Sequence, residues 1–300
     1  MRAIVINRHG GPDVLERVMM DMPAPQPGET LVRVAAVAVN PADFKWRAGM
    51  FQAFMPVTFP HVLGYDIAGE VAGGAGFSPG TRVFGALDPF RKGGYAEYVA
   101  VPAEYLREIP DGLDFPAAAA IPTAGLTGLQ LVERGVDLQP GQRVLITGAL
   151  GAVGRFALHF AKARGAHVVC AVRAAHRDGV MALGADAVLA LGEEDWRGAP
   201  FDHVIDTVGG EAVARLCAHL KPGGRIATAA TTPIPAEGLP ASPEFFAVRS
   251  CGSDLARLGQ AVASGAIKVP VAQLIPLDQA AEAHRLVERG GQGGKVILIP

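Results

Sequence analysis

From Met1 to about Pro122 apolar residues come in short runs cut by glycine and proline: RAIVI (2–6), TLVRVAAVAV (30–39), GYDIAGEVA (64–72), TRVFGAL (81–87) and YAEYVAV (95–101). Such punctuation predicts strands joined by turns. Beyond Pro122 the texture changes. QRVLIT, HVVCAV, DAVLAL, DHVIDTV, GRIATAA and FFAVRSC alternate with stretches of helical spacing such as GRFALHFAKARG and GEAVARLCAHL. Strand alternating with helix predicts a parallel sheet, and strands that are nearly continuous apolar runs are those covered on both faces. The expected fold class is therefore α/β, a β-rich first part followed by a doubly wound parallel sheet. LGEEDWRGAP (191–200) is too short for a full crossover helix and predicts a bare loop, and TTPIPAEGLPASP (231–243) an irregular one beside the sheet. The closing LDQAAEAHRLVERG is a helix with Leu277, Ala280, Ala281, His284 and Val287 near one face. The strand GKVILIP after it is expected to return to the first domain.

Composition narrows the function. The 300 residues suffice for two domains, expected as residues 1–122 with 267–300 and residues 123–266. Half the residues are hydrophobic and 19% are charged, below the ~25% of ordinary globular chains, so much of the chain lies inside. A net charge of −2 offers no footprint for nucleic acid or anionic lipid, and neither is expected as a partner. The most apolar long stretch, 112–132, contains Asp114, Pro116, Pro122, Gly125 and Gly128 and makes a poor membrane span. Cys170, Cys217 and Cys251 form neither a C-x-x-C pair nor a disulfide framework; with an N-terminus that reads as a strand, they lead us to expect a reducing, cytoplasmic location and no structural zinc.

The strongest local signal is the turn between QRVLIT and the following helix. Gly148, Gly151 and Gly154, with Ala149, Ala152 and Val153 between them, give G-x-x-G-x-x-G. Glycines there let the chain turn tightly and let backbone N–H groups approach a pyrophosphate at a helix N-terminus. A plain strand-to-helix turn is the competing explanation. NAD-binding versions carry an acid at the end of the second strand; here HVVCAV runs into Arg173, His176 and Arg177 with no acid before Asp178. A guanidinium binds a 2′-phosphate where a carboxylate repels it, so Arg173 first and Arg177 second favour NADP(H) over NAD(H). Both are alternatively solvated residues at a helix start. Val208, Gly209 and Gly210 follow DHVIDT at the carboxyl edge, where open sheets bind ligands.

These residues resemble the medium-chain dehydrogenases/reductases, specifically the zinc-free quinone oxidoreductase, or zeta-crystallin-like, branch. The resemblance spans essentially the whole chain, through GGPDVLE, NPADFKWRAG, FPHVLGYDIAGEV, GGYAEYVAV, IPTAGLTGLQLV, GALGAVG, MALGADAVL, DTVGG, LKPGGRI and AAEAHRLVERGGQGGKVIL. It implies a GroES-like β-rich substrate domain with an inserted Rossmann domain and a cofactor held between them. Zinc-dependent relatives carry Gly-His-Glu where this chain has Gly64, Tyr65 and Asp66, and a metal-binding Cys where it has Asn40. Without thiolate or imidazole there, no catalytic metal is expected. Without a Lewis acid, simple alcohol oxidation becomes the less probable chemistry, and a conjugated acceptor, which spreads incoming charge onto a carbonyl oxygen, the better substrate.

NPADFK is similar to the NPVD-F/Y-K pattern of the enone-reductase members. That resemblance places Asn40, Asp43 and Lys45 at the nicotinamide end, with Lys45 reaching a ribose hydroxyl or the acceptor carbonyl. Tyr65 is a candidate hydrogen-bond donor in the same place. The family also sets Thr123 and Thr127 beside the nicotinamide and brings Lys295 near the cofactor. Simpler structural roles compete for each: a turn-former for Asp43, an exposed basic residue for Lys45, a half-buried strand tyrosine for Tyr65, a helix cap for Thr123 and an edge-strand lysine for Lys295. His61 reads as a loop residue. The expected function is reduction of a quinone or an α,β-unsaturated carbonyl compound by NADPH, the chain pairing as a homodimer with FFAVRSC as the exposed edge. Two alternatives are a trans-acting enoyl reductase of a polyketide or fatty-acid system, and a non-catalytic NADP(H)-binding regulatory protein.

Overall fold

The computed structural model describes residues 1–53, 55–193 and 195–300, which form two compact units. The first opens with β1 (Arg2–Ile6), which pairs antiparallel with β2 (Leu15–Met19). The long β3 (Glu29–Val39) follows. Its first half alternates buried Val32 and Val34 with exposed Arg33, whereas Ala36 to Val39 are all buried, the pattern of a strand leaving solvent and entering a core. After it come α1 (Pro41–Arg47), β4 (His61–Val62) on the other side of β1, β5 (Asp66–Gly74), β6 (Arg82–Ala86), β7 (Tyr98–Pro102), β8 (Leu106–Glu108) and α2 (Phe115–Ala119). Proline at N1 starts α1, and the Asp114 carboxylate caps α2 by accepting from the Ala117 N–H at 2.8 Å.

The second unit, Ala124–Arg249, contains most of α3 (Pro122–Gln130), then β9 (Arg143–Thr147), α4 (Ala152–Ala163), β10 (His167–Val172), α5 (Arg177–Met181), β11 (Ala187–Ala190), β12 (Phe201–Asp206), α6 (Glu211–Cys217), β13 (Leu220–Thr228) and the short β14 (Pro243–Phe245). All six strands are parallel, in the order β11-β10-β9-β12-β13-β14. This is the doubly wound order, in which the chain reverses direction across the sheet between β9 and β12. Leu145, Val169, Val204, Ile226 and, from α6, Val213 and Leu216 share one core. Between β11 and β12 no helix occurs among the described residues, so that crossover is a loop as expected. The expected edge strand is displaced: pairing with β13 covers Pro243 to Phe245, and of FFAVRSC only Phe245 lies in it.

The chain returns through α7 (Gly252–Ala263), β15 (Val271–Pro276), α8 (Ala280–Arg289) and β16 (Lys295–Ile299). The first unit's tail begins at Ser250, earlier than the expected residue 267, because α7 packs on the first unit. A Cβ at Gly259 would meet Phe84 at 3.0 Å and Pro110 at 3.1 Å, and the Ser250 hydroxyl donates to the Ala86 carbonyl at 2.8 Å. β16 lies inside a sheet ordered β15-β16-β3-β5-β6-β8, antiparallel to β3, with β7 also on β3. The last strand is therefore interior to the domain that the first residues begin.

Candidate functional site

In the second unit the glycine turn stands at the carboxyl end of β9. Only Gly148 needs a left-handed backbone, at φ +65°; the turn closes with the Gly151 N–H donating to the Gly148 carbonyl at 2.8 Å. Gly151 is an extended N-cap, and Gly154 is required by space, since a Cβ there would lie 2.4 Å from the Gly148 carbonyl oxygen and 2.6 Å from the Ala149 Cα. Ala149 is fully buried beneath the turn. No side chain caps α4, so the N–H groups of Ala152, Val153 and Gly154 have no intrahelical acceptor and carry the positive end of the helix dipole. A phosphate group fits this edge: bare donors, a positive dipole and a close-packed turn. Sequence reading passed over Arg155, whose Nε donates to the Leu150 carbonyl at 2.9 Å and braces the loop.

Arg173 follows the last residue of β10, exposed and without an ion pair among the described residues. Arg177 opens α5 and donates to the Val188 carbonyl of β11 at 3.2 Å, which commits part of its guanidinium. Asp186, the nearest acid in sequence after Asp178, sits before β11 and is held by Lys162 at 2.7 Å. Past β12, Val208 is 40% exposed at the sheet's carboxyl edge. Gly209 has φ +76°, and a Cβ on it would lie 2.1 Å from the Thr232 carbonyl oxygen. Thr127 is buried within α3.

The first unit holds a buried polar cluster that gathers Asn40, Asp43, Thr123 and Lys295. Its centre, Asp66, was missed as a functional residue because the sequence shows only an acid at the head of a strand. Asp66 Oδ1 accepts from the Thr123 N–H at 2.9 Å and from its hydroxyl at 2.5 Å, while Oδ2 accepts from Asn40 Nδ2 at 2.9 Å. Thr123 thus does not cap α3: it is the second residue of that helix, and Asp66 supplies the negative charge at the helix start. The Lys295 ammonium donates to Asn40 Oδ1 and lies 3.9 Å from Asp66 Oδ2. Lys295 is buried on an interior strand, which removes the edge-strand reading. Burial pushes the Lys295 ammonium down and Asp66 up, each partly offset by the other's charge.

Asp43 is likewise fully buried and more than a turn-former. Its Oδ2 accepts from the Asn40 N–H at 2.6 Å and its Oδ1 from the Gly64 N–H at 3.1 Å, tying the start of α1 to the turn before β5. Burial, with Asp66 nearby, lifts its pKa to about 7 against those two donors. Lys45 is half-buried on α1, 5.9 Å over the Phe44 ring, and burial lowers its pKa. Tyr65 lies just before β5 and is 5% exposed; its hydroxyl is 3.0 Å from His61 Nε2, and Trp46 packs edge-on at 6.5 Å between ring centres. His61 belongs to β4 instead of a loop, and burial, with His9, pushes its pKa down to about 4, so the imidazole is neutral.

Among the described residues no three His, Cys, Asp or Glu side chains come together as a metal's ligands. At Asp66, where this chain's Gly-Tyr-Asp segment ends, a lysine ammonium and three N–H or O–H donors already surround the carboxylate oxygens, a donor set that does not fit zinc. No described helix is long and apolar enough to cross a membrane.

Two family models match the chain: an alcohol dehydrogenase GroES-like domain over residues 26–111 and a zinc-binding dehydrogenase over residues 183–298. A 2-methylene-furan-3-one reductase of Solanum lycopersicum is 32% identical over 100% of this chain and 79% of its own length. A chloroplast envelope quinone oxidoreductase homolog of Arabidopsis thaliana is 35% identical over 63% of this chain, and the match spans 60% of that relative. Among solved structures, an NAD-dependent alcohol dehydrogenase superposes with a TM-score of 0.88 at 33% identity, each chain covered entirely. A mycobacterial protein complexed with NADPH gives 0.84 at 29% identity, again over the whole of both chains. The chain belongs to the medium-chain dehydrogenase/reductase superfamily, in its quinone oxidoreductase and enone-reductase branch. Its architecture is that family's: a GroES-like β-rich domain and a Rossmann-type parallel sheet.

Proposed function

We propose that this protein transfers a hydride from NADPH to a quinone or an α,β-unsaturated carbonyl compound without a metal ion. The observation that carries the reading is the carboxyl edge of the parallel sheet, where a helix start without a side-chain cap and a close-packed glycine turn stand with the exposed Arg173. A relative named a furanone reductase and a similar structure holding NADPH agree with it.

NADPH, when bound, supplies the hydride. The N–H groups of Ala152, Val153 and Gly154 would hold the pyrophosphate and Arg173 would pair with the 2′-phosphate, with the Arg177 guanidinium adding positive charge at the same strand end. A conjugated acceptor reduced there would carry the negative charge on its carbonyl oxygen. Lys45 is suited to meet that charge, since a half-buried ammonium both stabilises an oxyanion and gives up its proton more readily than one in water. Tyr65 stays protonated, because burial and the nearby Asp43 and Asp88 raise its pKa, so its phenol is a hydrogen-bonding group and a poor proton source. Asn40, Asp43, Thr123 and Lys295 act by holding α1 and the start of α3 in place.

The test mixes purified protein with NADPH and a panel of quinones, alkyl enones and enoyl thioesters. Oxidation with quinones or enones is expected. Turnover confined to thioesters would instead indicate a trans-acting enoyl reductase, and no turnover with NADPH bound a regulatory role. Arg173→Ala should weaken NADPH by about tenfold to a hundredfold, the worth of one or two charge-assisted hydrogen bonds, and leave NADH nearly unchanged. Equal losses for both would remove Arg173 from the phosphate site. Dialysis against a chelator should not alter turnover; stoichiometric zinc by elemental analysis would overturn the metal-free reading.

A further inference from the structure

At the carboxyl end of β12, on the side of the parallel sheet away from Arg173, lies a fully buried carboxylate that the reading above does not use. Asp206 Oδ1 accepts from the Thr147 hydroxyl at 2.5 Å and from the N–H groups of Val208 and Gly209, each at 3.0 Å. Its Oδ2 accepts from the Thr228 hydroxyl at 2.6 Å. Thr147 ends β9 and Thr228 ends β13, so one side chain ties the mouths of the three central strands.

An ionised carboxylate accepts only, and this fixes the direction of the network. Both threonine hydroxyls must point their protons at Asp206, which leaves their lone pairs outward. There the Thr147 oxygen accepts from the Thr207 N–H at 3.0 Å and the Thr228 oxygen from the Ala230 N–H at 3.0 Å. The Thr207 hydroxyl in turn donates to the Thr147 carbonyl at 2.8 Å, and a Cβ on Gly148 would lie 2.4 Å from it. The glycine turn therefore rests on Thr207, which rests on Thr147, which is oriented by Asp206. On the other side Gly209, held by Asp206, presses against the Thr232 carbonyl.

We propose that Asp206 is a positioning residue that presets the nicotinamide half of the dinucleotide site; this rests on the reading of that edge as an NADPH site. In a doubly wound sheet each half of the strand order carries one mononucleotide. β9, β10 and β11 form the half with Arg173, and β12, the strand Asp206 ends, opens the second. The loops that Asp206 fixes after β12 and β13 are those of the second half.

The variants follow from the donor count. In Asp206→Asn the carbonyl must stay on the side of the three donors, so the amide NH2 faces Thr228, whose oxygen already accepts from Ala230 and has to turn its own proton away to accept a second donor. That reverses and strains the β13 arm alone, and Thr228→Val removes the same arm without touching Asp206. Binding is titrated with NADPH, which spans both halves, and with 2′,5′-ADP, which occupies only the first. Asp206→Asn should raise the Kd for NADPH by about tenfold and leave that for 2′,5′-ADP within about twofold. Thr228→Val should shift the same ratio in the same direction, and the double variant should be no worse than Asp206→Asn. Unchanged NADPH affinity in both variants, or equal loss of the two ligands, would overturn the proposal, equal loss being what a purely structural carboxylate gives. Wild-type protein that binds neither ligand would instead overturn the cofactor reading on which the proposal rests, and the proposal with it. Should Asp206→Asn not fold, Thr228→Val decides alone.

Discussion

At Asp66 a single buried side chain caps a helix, anchors an asparagine and sits beside an ammonium. Removing one partner of such a set leaves the other buried and unpaired, which is more damaging than removing both. Asp66→Ala should therefore destabilise by about 3–5 kcal/mol in urea denaturation. Asp66→Ala combined with Lys295→Met should recover part of that loss; additive losses would show that the two do not interact. Gly154 makes a different test. Its added Cβ would meet backbone, which cannot swing aside, so Gly154→Ala should cost about 1–3 kcal/mol and weaken NADPH as the turn shifts. The two differ in what the sequence shows. Asp66 reads as a strand-head acid until Thr123, Asn40 and Lys295 are folded onto it, whereas Gly154 was legible because strand, glycine spacing and helix are all local.

The closing helix α8 shows the same division at the level of an element. Its apolar stripe was readable in part: Leu277 and Ala280 are buried as that spacing requires, Ala281 and Val287 are only half-buried, and Ala283, outside the expected face, is buried. His284 on the same face is polar yet fully buried, and partners from distant sequence explain it. Arg47 can only donate, so its Nη1 contact at 3.1 Å makes His284 Nδ1 the acceptor and puts the ring proton on Nε2, which donates to the Tyr95 hydroxyl at 2.9 Å. Arg47 also pairs with Glu288 and donates to the Gly10 carbonyl at 3.0 Å, pinning α8 to α1 and the N-terminal loop. Burial and Arg47 push His284 down to about 3. Above pH 6.5 the histidine is neutral whether the chain is folded or not and contributes no pH dependence. Below it the unfolded chain takes up a proton that the folded one refuses, so stability should fall continuously from pH 6.5 toward 3. His61, at about 4, adds in the same direction. Denaturation midpoints across that range check this, and His284→Asn should flatten the slope; an unchanged slope would assign the loss to the carboxylates.

For the whole molecule, the important feature is that the last strand lies inside a sheet begun by the first unit. A chain ending at Gly294 loses β16, so β3 and β15 lose their common partner and Asn40 and Asp66 lose the Lys295 ammonium. Such a truncation should abolish the cooperative melting of the first unit, while Ala124–Arg249, contiguous in sequence with its own core, keeps its affinity for 2′,5′-ADP. Circular dichroism melts and ligand titration read the two effects separately. Alternation of apolar runs with helical spacing determined the α/β class, the glycine turn, the arginines at the end of β10 and the loop crossover before β12, because each is written in contiguous residues. Only the tertiary structure decided that α7 joins the first unit, that β14 is three residues long, and that Asp66 and Asp206 are hubs. Those depend on partners tens to hundreds of residues away, and a buried carboxylate has no signature in sequence until its donors are in place.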